Sequence, residues 1–429
     1  MGLESVNYQC PACGGPLRFD SATQHLVCEH CDSSFMPSEV ERLYAEKNKR
    51  AEDKAEQAAA SAGEDAAATA AYVCSSCGAE LVNDGTTAVS TCPYCGNPVV
   101  ATAQLSGEFA PKLVMPFRLD HKAATEALEN HYKGKVLMPK SFKAGNHVDE
   151  VQGVYVPFWL YNANPAGTAT FEATRERRWR QGDDEIVETD HFNCFRRGFM
   201  SFERIPVDGS TKMPDGHMDA IEPFDFKELL PFSTVSLPGY VANRWDEDAE
   251  ACRPRAEKRL RNSVQNELEK TVEGYDTVSC TECEVDPKWS SATYAMLPVW
   301  MLHPSWTGQD FLFAMNGQTG QLVGDLPISK PKLAGIAVGM FAVLVGLMMA
   351  LSGAGLFEDW DPMLVNLVTF GLPVLIDLLV CLALVGQMHT AVEASDATNY
   401  LDGKVTIGES SDTFTHTTRQ VIHHEKKKD

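Results

Sequence analysis

The sequence predicts a multidomain protein with two small N-terminal β modules of the zinc-ribbon type, a cytoplasmic α+β domain and a C-terminal two-helix transmembrane hairpin. Three observations support this prediction: matched sets of Cys-x-x-Cys pairs near the N-terminus, mixed strand and helix patterns in the middle, and two long apolar runs near the C-terminus. The predicted boundaries are ribbon 1 at 1–37, an Ala/Glu-rich helical linker at 38–71, ribbon 2 at 72–102, the α+β domain at 110–329, transmembrane helices at 333–351 and 363–387, and a polar cytoplasmic tail at 390–429.

The four Cys-x-x-Cys pairs form two sets of equal length. Fourteen residues separate the two pairs of each set, and the second set follows the first at an offset of 64 residues. Four thiolates at this spacing can close a tetrahedral shell with Zn–S bonds of about 2.3 Å, which leaves no open position for catalysis. The predicted ligands of two zinc ions are Cys10, Cys13, Cys28 and Cys31 in ribbon 1 and Cys74, Cys77, Cys92 and Cys95 in ribbon 2.

The cysteine spacing does not by itself choose the metal, so a rubredoxin-like iron site and disulfide pairs stay open as alternatives. A reducing cytoplasm disfavours the disulfides. A glycine follows the first pair of each set, at Gly14 and Gly78, and tolerates the left-handed turn that such a knuckle needs.

The linker and the α+β region carry weaker patterns. Ser38 is expected to cap a helix that places Val40, Leu43 and Tyr44 on one stripe, before a loosely ordered Ala-rich spacer. In the domain, the Arg and Glu residues of the last predicted helix are expected to cover its solvent face. Strands are predicted at 154–161, 171–180 and 186–195, helices at 122–133 and 255–272, and turns at 208–209 and 215–216.

A weak internal repeat lies in this region. The residues Val-Pro-Phe-Trp-Leu at 156–160 match Leu-Pro-Val-Trp-Met at 297–301, at an offset of 141 residues. Gly167 and Gly308 keep the offset, so each copy is expected to form a strand, a glycine-containing turn and a returning strand. The repeat predicts a duplicated subdomain whose tryptophans lie in the core or in a groove, and chance similarity of β-rich sequence is the alternative.

Two apolar runs predict the membrane hairpin. Residues 333–351 carry no charge, and 19 residues of helix span about 28 Å, close to the hydrocarbon thickness of a bilayer. The run 363–387 is interrupted only by Asp377. Lys330 and Lys332 precede the first run and the connection between the runs is acidic, so the positive-inside tendency predicts that both termini are cytoplasmic at an inner membrane.

Within the predicted hairpin, three residues are candidates for helix packing. Gly335 and Gly339 form a small-xxx-small face, which favours packing within the hairpin or between chains as a homo-oligomer. Asp377 lies inside the second apolar run, where a charge is costly, so we expect it to face protein rather than lipid. Pro373 is expected to kink the second helix.

Composition and motifs restrict the function. The net charge of -22 and the absence of basic residues between 72 and 100 argue against a general nucleic-acid binder, which needs a basic surface. The pair Cys280 and Cys283 is a candidate redox pair or half of a metal site with Cys194, Cys252 or a histidine. We found no catalytic motif with supporting context, so the sequence predicts a protein that is not an enzyme.

Several segments resemble one group of proteins: bacterial membrane proteins with TFIIB-type zinc ribbons, often labelled as helicase-like or primosomal. The resemblance rests on residues 154–159, 297–300, 313–320 and 324–327, and it extends from about residue 72 through the hairpin. Such proteins are similar to the membrane anchors of phage-shock protein A and SPFH envelope-stress modules. The resemblance implies recruitment of partners of those kinds to the membrane. No Walker motif supports the helicase label.

The sequence therefore predicts a non-enzymatic, membrane-anchored zinc-ribbon adaptor or scaffold that recruits cytoplasmic proteins in an envelope-stress response. A zinc-ribbon protein that binds nucleic acid at the membrane is one alternative. A membrane redox enzyme that uses Cys280 and Cys283 is the other.

Overall fold

A computed structural model describes residues 3–4, 8–46, 49, 71–74, 79–82, 85–92, 98–144, 151–182, 184–354, 357, 360–391 and 393–423. Along the chain come ribbon 1, a short helix, ribbon 2, a sheet-rich domain and two apolar helices. After the second apolar helix, the chain returns to the sheet-rich domain and adds a strand to it. The predicted mixture of small β modules, a strand-rich domain and a helical hairpin is observed at this level.

Ribbon 1 is a small antiparallel sheet that follows strand β1 (Leu3–Glu4). Its strands are β2 (Leu17–Asp20), β3 (His25–Cys28) and β4 (Ser34–Phe35). Helix α1, at residues 37–46, buries Val40 against the core of the ribbon. The helix begins before the predicted cap at Ser38, and Leu43 is exposed rather than part of an apolar stripe. The Ala-rich part of the linker, residues 50–70, lies outside the described residues.

Ribbon 2 repeats the path of ribbon 1 in its described parts. Its strands are β5 (Ala71–Val73), β6 (Glu80–Val82), β7 (Thr87–Thr91) and β8 (Pro98–Val100). In ribbon 1, Leu26 pairs with Phe35, and in ribbon 2, Ser90 pairs with Val99, which is the same pairing shifted by 64 residues. Strand β1 pairs in parallel with β5, so the two ribbons adjoin each other.

The sheet-rich domain contains two large sheets, a small two-stranded sheet of β18 and β19, and several helices. Its strands are β9 (Leu113–Val114), β10 (Gln152–Ala163), β11 (Ala166–Gln181), β12 (Asp184–Phe199), β13 (Phe202–Asp208), β14 (Leu230–Pro231), β15 (Val241–Asn243), β16 (Thr277–Asp286), β17 (Trp289–Leu302), β18 (Ser305–Trp306), β19 (Gln309–Asp310), β20 (Phe313–Asn316), β21 (Leu322–Gly324) and β22 (Thr406–His423). Its helices are α2 (His121–His131), α3 (Lys140–Ala144), α4 (Asp215–Ala220) and α5 (Ala249–Glu269). The predicted helices and long strands are found within a few residues of these bounds, whereas the turn predicted at 215–216 opens helix α4.

The central sheet runs in the order β14-β9-β17-β10-β15-β7-β8, with β13 and β20 pairing off this path. Ribbon 2 is therefore continuous with the domain, because β7 pairs with β15. The second sheet runs β16-β11-β12-β22 and packs against helix α5. The apolar positions Leu260, Val264 and Leu268 of this helix are fully buried, as their spacing predicts.

The core of the domain is a duplicated β-α-β-β unit. The first unit consists of β9, α2, β10 and β13 and the second of β15, α5, β17 and β20, with other elements of the chain inserted between these members. Strands β10 and β17 pair antiparallel at the centre, and each lies parallel to the first strand of the other unit, β15 beside β10 and β9 beside β17. The two units are thus intertwined rather than side by side.

Equivalent hydrogen bonds in the two units support the duplication. The indole nitrogen of Trp159 donates to the carbonyl of Glu247 at 2.9 Å, and that of Trp300 donates to the carbonyl of Leu119 at 3.1 Å. Each of these carbonyls lies one residue before an aspartate that caps the helix of its unit, Asp248 for α5 and Asp120 for α2. The two tryptophans are therefore structural counterparts.

The glycines that sequence comparison assigned to the repeat are not counterparts. Gly167 lies inside β11, whereas Gly308 lies between β18 and β19. The glycines that correspond are Gly209 and Gly317, whose amides donate to the carbonyls of Pro157 and Pro298 at 2.9 Å in both units. The expected glycine-containing turn is therefore wrong for Gly167, whereas Gly308 does lie in a turn, between the antiparallel strands β18 and β19.

Two helical segments near the C-terminus are long and apolar enough to cross a membrane, as judged from length and composition within the described residues. Helix α6 (Lys330–Gly353) comes first, and α7 (Pro362–Asn366), a π-helical turn (Leu367–Gly371) and α8 (Leu372–Gly386) form the second. The π turn ends two residues before Pro373, whose ring would otherwise clash with the carbonyl four residues earlier. The bounds predicted for the two apolar runs agree with these helices to within a few residues.

The polar tail departs most from expectation. Instead of remaining a solvated tail, residues 406–423 form β22, which pairs antiparallel with β12 along almost its whole length. The preceding segment, 393–401, crosses helix α5. The tail is therefore part of the sheet-rich domain, and its strand is the exposed edge of the second sheet.

Candidate metal centre

The four cysteines of ribbon 1 converge on one point. Their sulfur atoms all lie within 4.8 Å of one another. The Sγ atoms of Cys10 and Cys31 are 3.6 Å apart, and those of Cys13 and Cys28 are 3.5 Å apart. A tetrahedral Zn–S shell requires sulfur separations of about 3.8 Å, since each bond is about 2.3 Å long. The group could hold a metal ion with little rearrangement.

Two knuckles of the same backbone shape present these cysteines. The amide of Cys10 donates to the carbonyl of Gly15 at 2.7 Å, and the amide of Cys28 donates to the carbonyl of Ser33 at 2.9 Å. The residue after each second cysteine is left-handed, Gly14 with φ of 78° and Asp32 with φ of 57°. Glycine and aspartate both tolerate this region, so the sequence permits both knuckles. The predicted role of Gly14 is confirmed, and the matching position of ribbon 2, Gly78, lies outside the described residues.

The thiols of ribbon 1 differ in burial and acidity. Cys10 and Cys28 are buried in the ribbon, whereas Cys13 and Cys31 are exposed. Hydrogen bonds from the Ser33 side chain and backbone lower the pKa of Cys31 to about 6. The pKa of Cys13 is raised to about 12, because contacts with the neighbouring thiols Cys31 and Cys28 outweigh the hydrogen bond with the Gly15 backbone, which lowers it. The Cys31 thiolate therefore forms readily, whereas deprotonation of Cys13 is favoured by a bound cation.

Ribbon 2 shows only half of its predicted site. Cys74 and Cys92 are buried together with Leu81 and Val99 in a small core. The amide of Cys74 donates to the carbonyl of Ala79 at 2.8 Å, which repeats the Cys10 knuckle at the 64-residue offset. The other two predicted ligands, Cys77 and Cys95, lie outside the described residues.

Ribbon 1 is held against the sheet-rich domain by specific contacts. The hydroxyls of Tyr8 and Thr234 are 2.6 Å apart, and the amide of Phe19 donates to the carbonyl of Pro238 at 2.9 Å. The side-chain amide of Gln24 donates to the carbonyl of Phe117 at 2.8 Å. These bonds fix the orientation of the ribbon, while the exposed sulfur atoms stay at its surface.

The second cysteine pair lies in a different environment. Cys280 and Cys283 are half-buried on β16, on either side of an irregularity in its pairing with β11, and both thiols are free. Burial raises the pKa of both thiols, that of Cys283 to about 11. Protonated thiols are poor nucleophiles and poor ligands. Among the described residues, the one converging group of three or more His, Cys, Asp or Glu ligands is that of ribbon 1, so this pair gains no third ligand there.

The residues predicted to pack membrane helices are spread over both apolar helices. Apart from the adjoining backbone of their own helix, no described heavy atom lies within 4 Å of the position that a Cβ would occupy at Gly335 or Gly339, so these glycines face away from the rest of the described chain. Asp377 is half-buried, with its Oδ1 4.0 Å from the sulfur of Cys381. Packing between chains at the glycine face stays a prediction.

A hydrogen-bonded neck, missed by sequence reasoning, joins the apolar helices to the domain. The amide of Leu326 donates to the carbonyl of Met388 at 2.9 Å, and the amide of Gly324 donates to the Thr390 hydroxyl at 2.8 Å. These bonds join the segment that leaves the domain, before the first apolar helix, to the segment that returns to it, after the second. Three of the four bonding groups are backbone atoms, which any residue type carries, so no sequence pattern marks the neck.

A buried ion network, also unpredicted, clamps the returning chain onto helix α5. Arg259, expected on a solvated face, is 3% exposed and binds both carboxylate oxygens of Glu222 at 2.9 and 2.6 Å. Its Nε donates to the carbonyl of Asp396, and the Tyr400 hydroxyl donates to Glu222 at 2.9 Å. Burial raises the pKa of Glu222 to about 7 despite Arg259.

One known protein resembles this chain over most of its length. YdjG of Bacillus subtilis (strain 168), described as an uncharacterized protein, is 34% identical over 350 residues, which cover 80% of this chain and 98% of YdjG. No protein-family model matches the chain, and no solved structure matches it. The match covers nearly all of YdjG, so the similarity concerns the shared architecture rather than one module.

Proposed function

The chain belongs to the same family as YdjG, and on that premise we propose that it is a membrane-anchored zinc-ribbon adaptor. The two apolar helices cross the bacterial inner membrane as a hairpin. The ribbons and the sheet-rich domain stand together in the cytoplasm and recruit protein partners to the membrane surface. The proposal assigns one zinc ion to each ribbon, held by four thiolates.

The observation that carries the proposal is the neck. Because Leu326 bonds to Met388 and Gly324 bonds to Thr390, both ends of the apolar hairpin emerge from one point of the domain. Strand β22, which follows the hairpin, pairs with β12, which precedes it. Two membrane crossings return the chain to the side from which it started, whereas a single crossing would separate these paired segments. The neck thus supports a two-pass anchor with both termini on one side, and Lys330 and Lys332 support the cytoplasm as that side.

The ribbons are the proposed docking elements. A four-sulfur shell leaves no coordination position for a substrate, so a closed site of this kind rigidifies the knuckles rather than performing chemistry. Cys13 and Cys31 lie at the surface, where the knuckles that carry them can contact a partner. The resemblance noted in the sequence implies partners similar to phage-shock protein A or to SPFH-domain proteins, and hence a role in envelope stress.

The test is a crosslinked purification of the full chain from bacterial membranes, with bound proteins identified by mass spectrometry. A variant with Cys13→Ser and Cys31→Ser is expected to lose its partners together with one zinc ion. A matched control with Cys280→Ser and Cys283→Ser is expected to keep both.

Other outcomes would favour the alternatives. If nucleic acid is recovered and its binding depends on salt, the protein is a nucleic-acid-binding protein rather than an adaptor. Loss of a redox activity in the Cys280/Cys283 variant, with zinc retained, would favour a membrane redox enzyme. Partner recovery that is unchanged in the ribbon variant would refute the role of ribbon 1.

A further inference from the structure

The segment Lys133–Phe142 of the domain lies directly against the base of the apolar hairpin. The ammonium of Lys332 donates to the carbonyl of Met138 at 2.8 Å, and the ammonium of Lys135 donates to the carbonyl of Gln387 at 2.6 Å. The amide of Ser329 donates to the carbonyl of Leu137 at 2.9 Å. The segment therefore contacts the start of the first apolar helix and the end of the second.

The segment carries positive charge in an acidic protein. The whole chain has a net charge of -22, yet residues 131–144 contain four lysines and no aspartate or glutamate. Lys330 and Lys332, at the start of α6, add two more to the same end of the hairpin. We call the five of these lysines whose side chains the structure describes the lysine collar: Lys133, Lys135, Lys140, Lys330 and Lys332.

Side-chain exposure suits a membrane surface. Lys133, Lys140 and Lys330 are exposed, and Val136 between them is 57% exposed although its neighbours Leu137 and Met138 are buried. An apolar side chain that projects among lysines is typical of interfacial segments.

Aromatic side chains lie beside the lysine collar, at the base of the apolar helices. Phe142 contacts Trp306 and Phe311, with ring centroids 6.2 and 5.6 Å apart, and this cluster also includes Leu333 and Leu384 of the apolar helices. Tryptophan is enriched where proteins meet the boundary between hydrocarbon and water.

Helix length places the collar at the headgroups. Helix α6 has 24 residues, so it is about 36 Å long, whereas the hydrocarbon core is about 30 Å thick. The first turn of α6, with Lys330 and Lys332, consequently lies in the headgroup region, and the bonded segment Lys133–Phe142 lies beside it.

We propose that the lysine collar binds the headgroups of anionic phospholipids in the cytoplasmic leaflet, an inference that rests on the two-pass anchor proposed above. The ammonium groups attract the phosphodiester charge while Val136 enters the interface. Because each headgroup meets about one lysine, the preference for an anionic over a zwitterionic lipid is about fivefold per contact, equivalent to about 1 kcal/mol.

The test uses the full chain reconstituted in phosphatidylcholine vesicles that contain trace spin-labelled phosphatidylglycerol or spin-labelled phosphatidylcholine. Electron paramagnetic resonance gives the association constant of each lipid relative to the bulk. The variant K133Q/K140Q/K330Q keeps Lys135 and Lys332, which hold the segment in place, and is expected to lower the phosphatidylglycerol preference about fivefold at low salt. The control K112Q/K227Q/K404Q removes three exposed lysines outside the collar and is expected to keep the preference.

The outcomes distinguish a failure of the lysine-collar proposal from a failure of the membrane-anchor proposal. If the wild-type chain is extracted from the vesicles by alkaline carbonate, the membrane anchor fails and the collar fails with it. If the chain stays in the vesicles but the collar variant loses less than twofold, or no more than the control, the collar is refuted and the anchor stands. Equal thermal unfolding of the two variants excludes misfolding as the cause of a difference.

Discussion

Replacing Arg259 by methionine tests the buried ion network. The substitution keeps an apolar stem of similar length but removes the guanidinium, whose four bonds reach Glu222 twice, Pro206 once and Asp396 once. Breaking a buried pair by removing one partner costs about 3–5 kcal/mol, because the other charge stays buried without compensation. The side chain of Glu222 is 5% exposed and would keep only the Tyr400 hydroxyl as a donor from this network.

The cost should depend on pH with a defined sign. The pKa of Glu222 is raised from 4.5 to about 7 by burial, so its ionised form destabilises the fold as the pH rises through this window. At pH 5.5 the carboxyl group is already protonated in the folded protein, and removing Arg259 leaves no buried charge at Glu222. We therefore expect Arg259→Met to lose about 3–5 kcal/mol at pH 8 and at least 1 kcal/mol less at pH 5.5.

Thermal unfolding of the full chain in detergent measures this effect. A loss of 3–5 kcal/mol corresponds to a fall in Tm of about 6 °C or more for a domain of this size. The control Arg261→Met, at an exposed position two residues away, is expected to shift Tm by about 1 °C at most. A cost below 1 kcal/mol at pH 8, or an equal cost at both pH values, would refute the reasoning.

Three further outcomes are expected. Cys28→Ser should lower the zinc content by one ion per chain in elemental analysis and make ribbon 1 protease-sensitive, because metal binding and folding are coupled; retained zinc would contradict the four-thiolate site. Gly317→Ala should destabilise the domain by about 1–3 kcal/mol in denaturant titration, since its Cβ would lie 2.7 Å from Phe117 and 2.9 Å from Pro298; an unchanged midpoint would contradict this packing. Alkylation of Cys283 should still accelerate between pH 9 and 10, since its pKa is about 11; a plateau near neutral pH would contradict the buried thiol.

Short-range patterns were sufficient to predict several elements. The Cys-x-x-Cys spacing of ribbon 1 determines a local geometry, so the convergence of Cys10, Cys13, Cys28 and Cys31 followed from sequence. The two long apolar runs and the apolar stripe along α5 could also be predicted from sequence. The stripe was predictable because apolar residues at helical spacing indicate burial of one face. The matched tryptophans, Trp159 and Trp300, identified the duplicated unit although the glycines assigned to it were wrong.

Other features depend on contacts that no local pattern reports. Strand β22 is polar and exposed on its outer edge, and it lacks the alternation that reveals a half-buried strand. Arg259 looks like any surface arginine in a helix, and only its partners Glu222 and Asp396, 37 and 137 residues away, show that it is buried. The lysine collar likewise forms only when residues 133–140 meet residues 330–332.

The pairing of β22 with β12 has a consequence for biosynthesis. A ribosome completes residues 406–423 only after both apolar helices have been translated, so β12 keeps an open edge until that point. The second sheet is therefore completed only when β22 adds to β12. A chain whose translation stops after the second apolar helix would leave β12 with a long unpaired strand edge that quality-control factors can recognise.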